Sequence, residues 1–496
     1  MFHCRAGIRL IAAFAFIVLT LGRAPLNALE DRYPERIKPY VKNPRYWQYK
    51  GKPVILLGGT KDDNLFQIPD LKQHLDELVR AGGNYIRNTM SVCKDREFEM
   101  EPFKQLPNGK HDLNEWNDEY WKRFETMLNL TRDRDIIVQI EIWAFHDFFG
   151  QHWEKNPWNP KNNVNYNIAN TMLAVSYPNP MKQMHAFFFT VPNLNSDPLV
   201  FRLQQKFVDK ILGYTIRHQH VLYCMTDEIH PLYSPEWGWY WAEYIKGTGN
   251  LVGNPSETTE MFWTPDIKAA QHRAGLDFPE LYTFFEASQN SSNKTGQDNW
   301  DDLQFVYNYL AKNPRPINHV KIYGTEILSA ASDTSDRSDK SDTARKALDR
   351  DALARFWRNV IGGSASSRFD CPPAGIGLNE LAQAHIKSMR LLERELSIFR
   401  CTPDSASKLL SDREVNEAYL TCIAGEQYAV YFPDGGSVNL DLSAVKDTFA
   451  VKWLDIGNTK WQSAPQGVVK GGGSIPLKTP GSGHWLSLLT KKKEQK

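Results

Sequence analysis

Short apolar runs alternate with amphipathic stretches from residue 53 onward. Eight of these runs have the length and composition of buried strands: 53–58, 84–87, 136–142, 221–225, 258–263, 281–285, 320–323 and 364–369. Most are followed by a helical pattern, as in 70–81, where Leu71, Leu75, Leu78 and Val79 would share one face. Strands that alternate with helices predict a parallel sheet, and eight such units predict a closed (β/α)8 barrel.

The pattern changes after a last helical stretch at 380–396. Alternating, strand-like runs follow at 419–423, 428–432, 437–442, 449–453 and 484–489, separated by Gly, Pro and Asp turns. The predicted organisation is therefore a signal peptide at 1–28, a barrel at 29–397 and a C-terminal β-sandwich at 398–490. Two further features are a hairpin at 46–52, expected under the base of the barrel, and an unusually long connection at 144–197, expected to wall a cleft.

The N-terminus has the features of an export signal. Arg5 and Arg9 precede an apolar run at 10–21, and the small residues Ala24 and Ala28 follow it. The run is shorter than the roughly 20 residues that a membrane helix needs. We therefore expect a secreted or periplasmic protein that is not held in a membrane.

The balance of charge argues against polyanionic partners. Lys and Arg number 59 and Asp and Glu number 58, which leaves a net charge of +1 and no field that favours nucleic acid or an anionic membrane. Aromatic residues make up 12% of the chain, including 15 Trp and 20 Tyr, and suit a protein that stacks on sugar rings. Among the cysteines, only Cys401 and Cys422 fall together in the small domain, so their pairing is a hypothesis. His and Asp residues do not cluster at the predicted strand ends, so the sequence predicts no metal site.

Two glutamates follow predicted strands at the end where barrel active sites lie. Glu228 follows the fourth strand in Thr226-Asp227-Glu228, and Glu326 follows the seventh in Gly324-Thr325-Glu326. Two facing carboxyl groups about 5 to 5.5 Å apart are what retaining glycoside hydrolysis needs. Arg87, at the end of the second strand, would hold one of them ionised. Glu141, Glu260 and Glu286 are competitors, and Glu286 is the strongest rival for the nucleophile.

These strand-end motifs resemble those of clan-A retaining glycoside hydrolases. Ile86-Arg87-Asn88, Asp227-Glu228 and Thr325-Glu326 carry the likeness. More narrowly, Lys50-Gly51-Lys52-Pro53 and Gly362-Gly363 resemble apiosidase-like and cellulase-like barrels, and residues 431–436 with 483–485 resemble their C-terminal domain of the collagen-binding type.

The resemblance implies roles for individual residues. Glu228 would be the acid/base and Glu326 the nucleophile, without a metal or an organic cofactor. In that clan an Asn that binds the sugar 2-hydroxyl usually precedes the acid/base, whereas this chain has Asp227, which accepts but does not donate when ionised. Further residues expected to contact the sugar share positions at or near strand ends: Arg87, Asn88, Trp143, His146, Trp263 and Tyr323.

The sequence therefore predicts a secreted retaining glycoside hydrolase that acts on a poly- or oligosaccharide. The alternative is an inactive barrel that binds carbohydrate or extracellular matrix through its aromatic loops and its sandwich. Asp227 favours the alternative, and two retained glutamates favour the enzyme.

Overall fold

The structure is a computed structural model that describes residues 33–90, 96–179, 184–291, 294–323 and 342–492. The predicted signal peptide at 1–28 lies outside the described residues, as does Glu326. Among the described helices, none is both long and apolar enough to cross a bilayer.

Eight parallel strands form a barrel, as the sequence predicts. The second to fifth strands make one continuous sheet, the sixth pairs with the seventh, and the eighth pairs with the first. Backbone hydrogen bonds also join the first strand to the second, such as Asn84 N to Leu57 O at 2.9 Å, and the seventh to the eighth, such as Ala365 N to Ile317 O at 2.8 Å and Arg368 N to His319 O at 3.0 Å. The barrel strands, in order, are Leu56–Gly59, Tyr85–Thr89, Ile137–Ala144, Val221–Asp227, Thr258–Thr259, Phe285–Glu286, Ile317–Asn318 and Ser366–Phe369.

Helices surround the strands and bury one face each. In the first helix Leu71, Leu75 and Leu78 are buried, but Val79 is exposed, because it lies one position off the stripe that faces the sheet. His74 is buried in its place. The described α-helices are Leu71–Arg80, Asp118–Arg132, Gly150–Lys155, Pro198–Thr215, Glu236–Val252, Ala270–Leu276, Gly296–Tyr309, Asp342–Ile361 and Glu380–Glu393.

The seventh strand differs from the prediction of 320–323. The ladder lies earlier, at Ile317–Asn318, where it pairs with Phe285–Glu286. Beyond it, the amides of Val320 and Lys321 donate to the Ser288 hydroxyl, both at 2.9 Å, and not to a backbone carbonyl of a neighbouring strand. The apolar pattern of 320–323 indicates that these residues are buried. It does not show that the Ser288 side chain, and not the backbone of another strand, accepts hydrogen bonds from their amides. The sixth strand is also shorter than predicted, and Glu286 belongs to it.

A three-stranded antiparallel sheet covers the base of the barrel. Its strands are Lys38–Tyr40, Asn43–Tyr49 and Lys52–Val54. Trp47 is fully buried, and its indole Nε1 donates to Asn318 Oδ1 of the seventh barrel strand at 2.9 Å. The N-terminal hairpin therefore closes the barrel from below.

The C-terminal region is all-β and consists of two antiparallel sheets that enclose an apolar core. Leu420, Phe432, Val438, Trp453 and Leu477 belong to that core. One sheet has three strands, Leu410–Ser411, Ser437–Asp441 and Ser474–Lys478. The other has six, in the spatial order Thr402–Pro403, Tyr419–Ile423, Gln427–Phe432, Trp485–Lys491, Thr448–Asp455 and Lys460–Lys470.

The sandwich packs directly on the barrel helices. Trp357 stacks on Tyr431 with ring centroids 5.6 Å apart, and Trp300 contacts Tyr419 at 4.8 Å. The Ser388 hydroxyl donates to the carbonyl of Ile456 at 2.7 Å. Residues of both regions thus share one hydrophobic core.

The hypothesis of a Cys401–Cys422 disulfide is wrong in this structure, because both residues are free thiols. Thr402, not Cys401, lies opposite Cys422 in the sheet, so Cys401 is one position out of register.

Candidate active site

A column of polar side chains runs through the barrel above the base. Asn318, which accepts from Trp47, donates to the Tyr85 hydroxyl at 3.1 Å. Tyr85 donates to Gln139 Oε1 at 2.7 Å, and Gln139 lies 3.5 Å from Glu141 Oε1. All five side chains are buried, so each depends on its neighbours for hydrogen bonds.

Arg87 joins this column to the mouth of the barrel. Its guanidinium is fully buried and donates to Glu141 at 2.7 Å, Asp63 at 2.6 Å and Asp227 at 2.7 Å, with Asp370 at 3.4 Å. A planar fork of N–H donors suits this arrangement, in which one cation serves several carboxylates. Arg87 is therefore an anchor for the mouth and is itself closed to solvent.

Asp227 ends the fourth strand between two cations. Its Oδ2 accepts from Arg87, and its Oδ1 accepts from the Lys321 ammonium at 2.6 Å. Each carboxylate oxygen thus has a charged donor. The oxygens at this position are bound to the protein itself, whereas the resemblance expects a sugar contact there.

Glu228 follows directly and is the centre of the site. Its Oε1 accepts from Lys321 at 2.6 Å, from the Tyr323 hydroxyl at 2.6 Å and from the Gln289 amide at 3.0 Å. Its Oε2 lies 3.1 Å from Nε2 of His146. The structure therefore brings together Glu228, His146 and Tyr323, which the sequence singles out, with Lys321 and Gln289, which it does not.

The backbone of Glu228 is left-handed, with φ of +62°. Such a conformation costs a residue with a Cβ roughly 1 to 3 kcal/mol and persists where the surroundings impose it. The next residue is fixed, because the Ile229 amide donates to Met261 O at 2.9 Å and its carbonyl accepts from the Trp263 amide at 3.0 Å. This turn directs the Glu228 side chain towards Lys321 and Tyr323.

The electrostatics of the site favour an ionised Glu228. Burial acts to raise the pKa of Glu228, but the Lys321 ammonium and the His146 contact outweigh it and hold the pKa well below its usual range. Burial acts to lower the pKa of His146, and Glu228 raises it. Burial and the Glu228 charge raise the pKa of Tyr323 well above its usual value, so its hydroxyl keeps its proton.

Glu286 is not placed like a nucleophile. Its Oε1 accepts from the Ser288 amide at 3.0 Å, from the Ser288 hydroxyl and from the Val320 amide at 3.3 Å. Its residue exposure is 1%, against 9% for Glu228. Burial raises the pKa of Glu286 to about 7, although these hydrogen bonds oppose the shift. Glu286 therefore holds the segment that carries Lys321.

The other competitors also have structural partners. Glu141 is completely buried against Arg87. Glu260 accepts from the Thr226 amide at 2.7 Å and is 2% exposed.

Three further residues that the sequence predicts to contact the sugar have no hydrogen bond or ring contact with Glu228 in the described part of the chain. Asn88 is fully buried, where it accepts from the Phe66 amide at 3.1 Å and donates to Thr89 O at 3.0 Å. Trp143 is buried in an aromatic cluster with Phe207. Trp263 is partly exposed. Its ring contacts that of His230, which follows Glu228 by two residues, with centroids 4.9 Å apart.

One group of possible metal ligands occurs within the described ranges. Atoms of Asp63, Asp370 and Cys371 lie within 4.8 Å of one another. Arg87 donates to both carboxylates, so a guanidinium already supplies their positive partner.

Lys321 and Gln289 are the site residues that sequence reasoning missed. A signal for Lys321 exists, because Lys321 and Tyr323 alternate in an otherwise apolar run and therefore point to the same side. Gln289 lies in a polar stretch after the sixth strand that has no distinguishing pattern.

No protein-family model and no curated protein matches the sequence. The fold is nevertheless similar to that of known structures. The chain aligns with a protein described as a glycoside hydrolase at a TM-score of 0.61 and 12% identity, over 93% of this chain and 98% of that one. It also aligns with a glycoside hydrolase of family 5 from Bacteroides vulgatus at a TM-score of 0.61 and 13% identity, over 92% and 93%. At these identities the likeness establishes the shared fold, a barrel followed by an all-β region.

Proposed function

We propose that this protein is a glycoside hydrolase that cleaves a poly- or oligosaccharide at the mouth of its barrel. The observation that carries the proposal is Glu228, a strained residue at the end of the fourth strand whose carboxylate has four polar partners. Strain and a perturbed carboxylate in one place are typical of active sites. Two solved structures with the same fold are described as glycoside hydrolases, which supports the same class of reaction.

The proposed mechanism is retaining. Glu228 and Glu326 are the two carboxyl groups, and a separation of about 5 to 5.5 Å is expected for double displacement. One protonates the departing oxygen, and the other forms a covalent glycosyl intermediate that water then hydrolyses. The protein is further proposed to act outside the cytoplasm after removal of residues 1–28, and to need no metal or organic cofactor.

A second candidate is a carbohydrate-binding protein without activity. The observation in its favour is the Lys321 ammonium, which pairs with both Asp227 and Glu228. Pairing of this kind offsets the cost of burying the carboxylates, and it needs no catalytic role for them.

The test is turnover by the mature wild-type protein. Reducing-sugar release from plant and bacterial polysaccharides and colour release from 4-nitrophenyl glycosides measure it, beside Glu228→Gln. We expect the substitution to lower kcat by at least about 10²- to 10⁴-fold, because it removes an acid/base or nucleophilic group. Binding of oligosaccharides by calorimetry without any turnover would favour the second candidate.

The stereochemistry is read separately. Proton NMR of the first product formed should show retained configuration at the anomeric carbon. Inversion would contradict double displacement and place the two carboxyl groups farther apart.

A further inference from the structure

A cavity of about 310 Å³ is separate from the polar groups that bind Glu228. It is lined by parts of the helices Glu236–Val252 and Ala270–Leu276 and by the chain that follows the fourth and fifth barrel strands. None of the four described partners of Glu228 lines it. Sites for small molecules have volumes of roughly 300 to 1,000 Å³, so this cavity suits a ligand of about one ring. Most of its lining is apolar: Ile229, Pro231, Pro235, Phe262, Ala270 and Ala274.

Two buried polar side chains, Tyr282 and Glu260, also line this cavity. Tyr282 is 1% exposed, and within the described ranges its hydroxyl has no hydrogen-bond partner. Glu260 is 2% exposed, and its Oε1 accepts from the Thr226 amide at 2.7 Å. Because a buried hydroxyl without a partner destabilises the fold, a ligand that bonds to Tyr282 would remove that cost.

Gly238 lets the two polar groups lie side by side. A Cβ at this position would come 2.2 Å from Glu260 Oε2 and 2.5 Å from the Tyr282 hydroxyl. Glycine weakens a helix, but here any larger residue would displace one or both of these groups. The helix Glu236–Val252 therefore accommodates a pair of hydrogen-bonding groups at its surface.

The protonation of this pair favours a neutral ligand. Burial raises the pKa of Glu260 well above its usual range, although the Thr226 and Met261 amides oppose the shift. Burial and the nearby Glu260 raise the pKa of Tyr282 as well, so its hydroxyl keeps its proton. A carboxylic acid and a phenol can each donate and accept, so one ligand hydroxyl can bond to both.

The apolar lining decides what the rest of the ligand is. A sugar ring carries hydroxyls around its edge, and most of them would lie unpaired against side chains such as Pro231, Phe262 and Ala274. An apolar ring with one hydroxyl leaves no such group unpaired. The cavity therefore fits a phenol or a cyclic alcohol better than a sugar.

The residues that line this cavity also hold the turn that carries Glu228. Glu260 binds the amide of Thr226, two residues before Glu228. Gln271 Nε2 donates to the carbonyl of Ile229, one residue after it, at 2.8 Å. A ligand that fixes these lining residues would therefore stabilise both sides of the turn.

We propose that this cavity binds a small neutral alcohol with an apolar ring, whose hydroxyl pairs with Tyr282 and Glu260, and that its occupancy stabilises the turn at Glu228. The site is distinct from the mouth of the barrel. Its occupancy is measured as binding and does not depend on turnover of any glycoside.

Binding of 4-fluorophenol to the wild-type protein, followed by fluorine NMR, tests the site. We expect saturable binding that Tyr282→Phe weakens by about 3- to 10-fold, the effect of one neutral hydrogen bond. Fluorobenzene, which lacks the hydroxyl, should bind more weakly by a similar factor. Tyr240→Phe, at a partly exposed tyrosine of the same helix that does not line the cavity, should leave binding unchanged. No binding, or equal binding to the wild type and Tyr282→Phe, would overturn the proposal, and so would tighter binding of glucose or glycerol.

The position of the ligand is tested by two further variants. Ala274→Leu adds side-chain volume to the cavity lining and should abolish binding. Glu228→Gln changes the mouth and should leave the dissociation constant unchanged. Melting curves establish that both variants are folded. Loss of binding in Glu228→Gln with retention in Ala274→Leu would place the ligand at the mouth and overturn the assignment.

Hydrogen exchange measures the link to the turn. At saturating 4-fluorophenol, the peptides that cover residues 226–229 should exchange more slowly, because the ligand holds the side chains that bind this segment. Peptides from the strands Asn43–Tyr49 and Lys52–Val54, at the base of the barrel, serve as the control and should not change. Unchanged exchange at 226–229 in the saturated protein would contradict the link.

Discussion

At the scale of single residues, Arg87 sets the charge balance of the mouth. It is buried and serves Glu141, Asp63 and Asp227 at 2.6 to 2.7 Å, with Asp370 farther away. Buried carboxylates without a cation are much more costly than the same groups when paired. The catalytic geometry proposed for Glu228 therefore depends on a residue that does not touch it.

Replacement of this guanidinium should destabilise the protein. We expect Arg87→Met to lower the free energy of unfolding by about 3 to 5 kcal/mol, because it leaves buried carboxylates unpaired. Urea denaturation measures the loss. Arg273→Met, which removes an exposed pair with Asp277, should cost less than about 1 kcal/mol. Equal losses in the two variants would show that the Arg87 cluster adds nothing beyond a surface pair.

At the scale of elements, the sixth and seventh strands are joined by a side chain. The Ser288 hydroxyl donates to Glu286 and accepts from the amides of Val320 and Lys321. This uses the one proton and the two lone pairs of a hydroxyl. The short seventh strand thus leads into a segment whose position is set by Ser288.

Removal of this hydroxyl should affect both stability and catalysis. Ser288→Ala leaves the buried Lys321 amide without its acceptor and the Val320 amide with only the longer bond to Glu286 Oε1, and we expect a loss of about 1 to 3 kcal/mol. Because Lys321 would move with its backbone, kcat should fall while the substrate remains bound. Thermal unfolding and steady-state kinetics measure the two effects, with the exposed Ser443→Ala as the control. Unchanged kcat would mean that Lys321 does not depend on Ser288.

At the scale of the whole molecule, two histidines lie where the sandwich meets the barrel. Trp357 Nε1 donates to His385 Nδ1 at 3.0 Å, and the Tyr431 hydroxyl lies 2.9 Å from His484 Nδ1. The two imidazoles are 4.9 Å apart. Burial lowers the pKa of both, to about 4 for His484, where Arg350 and Arg358 add to the effect.

The two buried histidines at this interface should make the folded protein less stable in acid. The folded pKa of each histidine lies below the unfolded value of about 6.5, so the unfolded chain binds more protons below that pH. Stability from these groups is therefore complete above about pH 6.5 and declines as the pH falls towards the folded pKa values. Melting temperatures from pH 7.5 to 4.5 should fall, and His484→Gln should reduce the slope. His152→Gln, at an exposed position, should leave the slope unchanged.

The sequence predicts elements better than contacts. The fourth strand and Asp227-Glu228 are visible because a continuous apolar run ends in charged residues. The seventh strand is misplaced by three residues, because an apolar run records burial and not the source of its hydrogen-bond partners. Gln289 reaches Glu228 only through the closure of the barrel, which brings together residues 61 positions apart. No local pattern encodes such a meeting.

The column that rises from Trp47 to Glu141 has an evolutionary consequence. Each of its members depends on the next as donor or acceptor, from Trp47 through Asn318, Tyr85 and Gln139. A change at one position therefore leaves a neighbour unsatisfied unless that neighbour changes as well. In related sequences these positions should vary together or not at all, whereas ordinary apolar positions of the same barrel should drift independently.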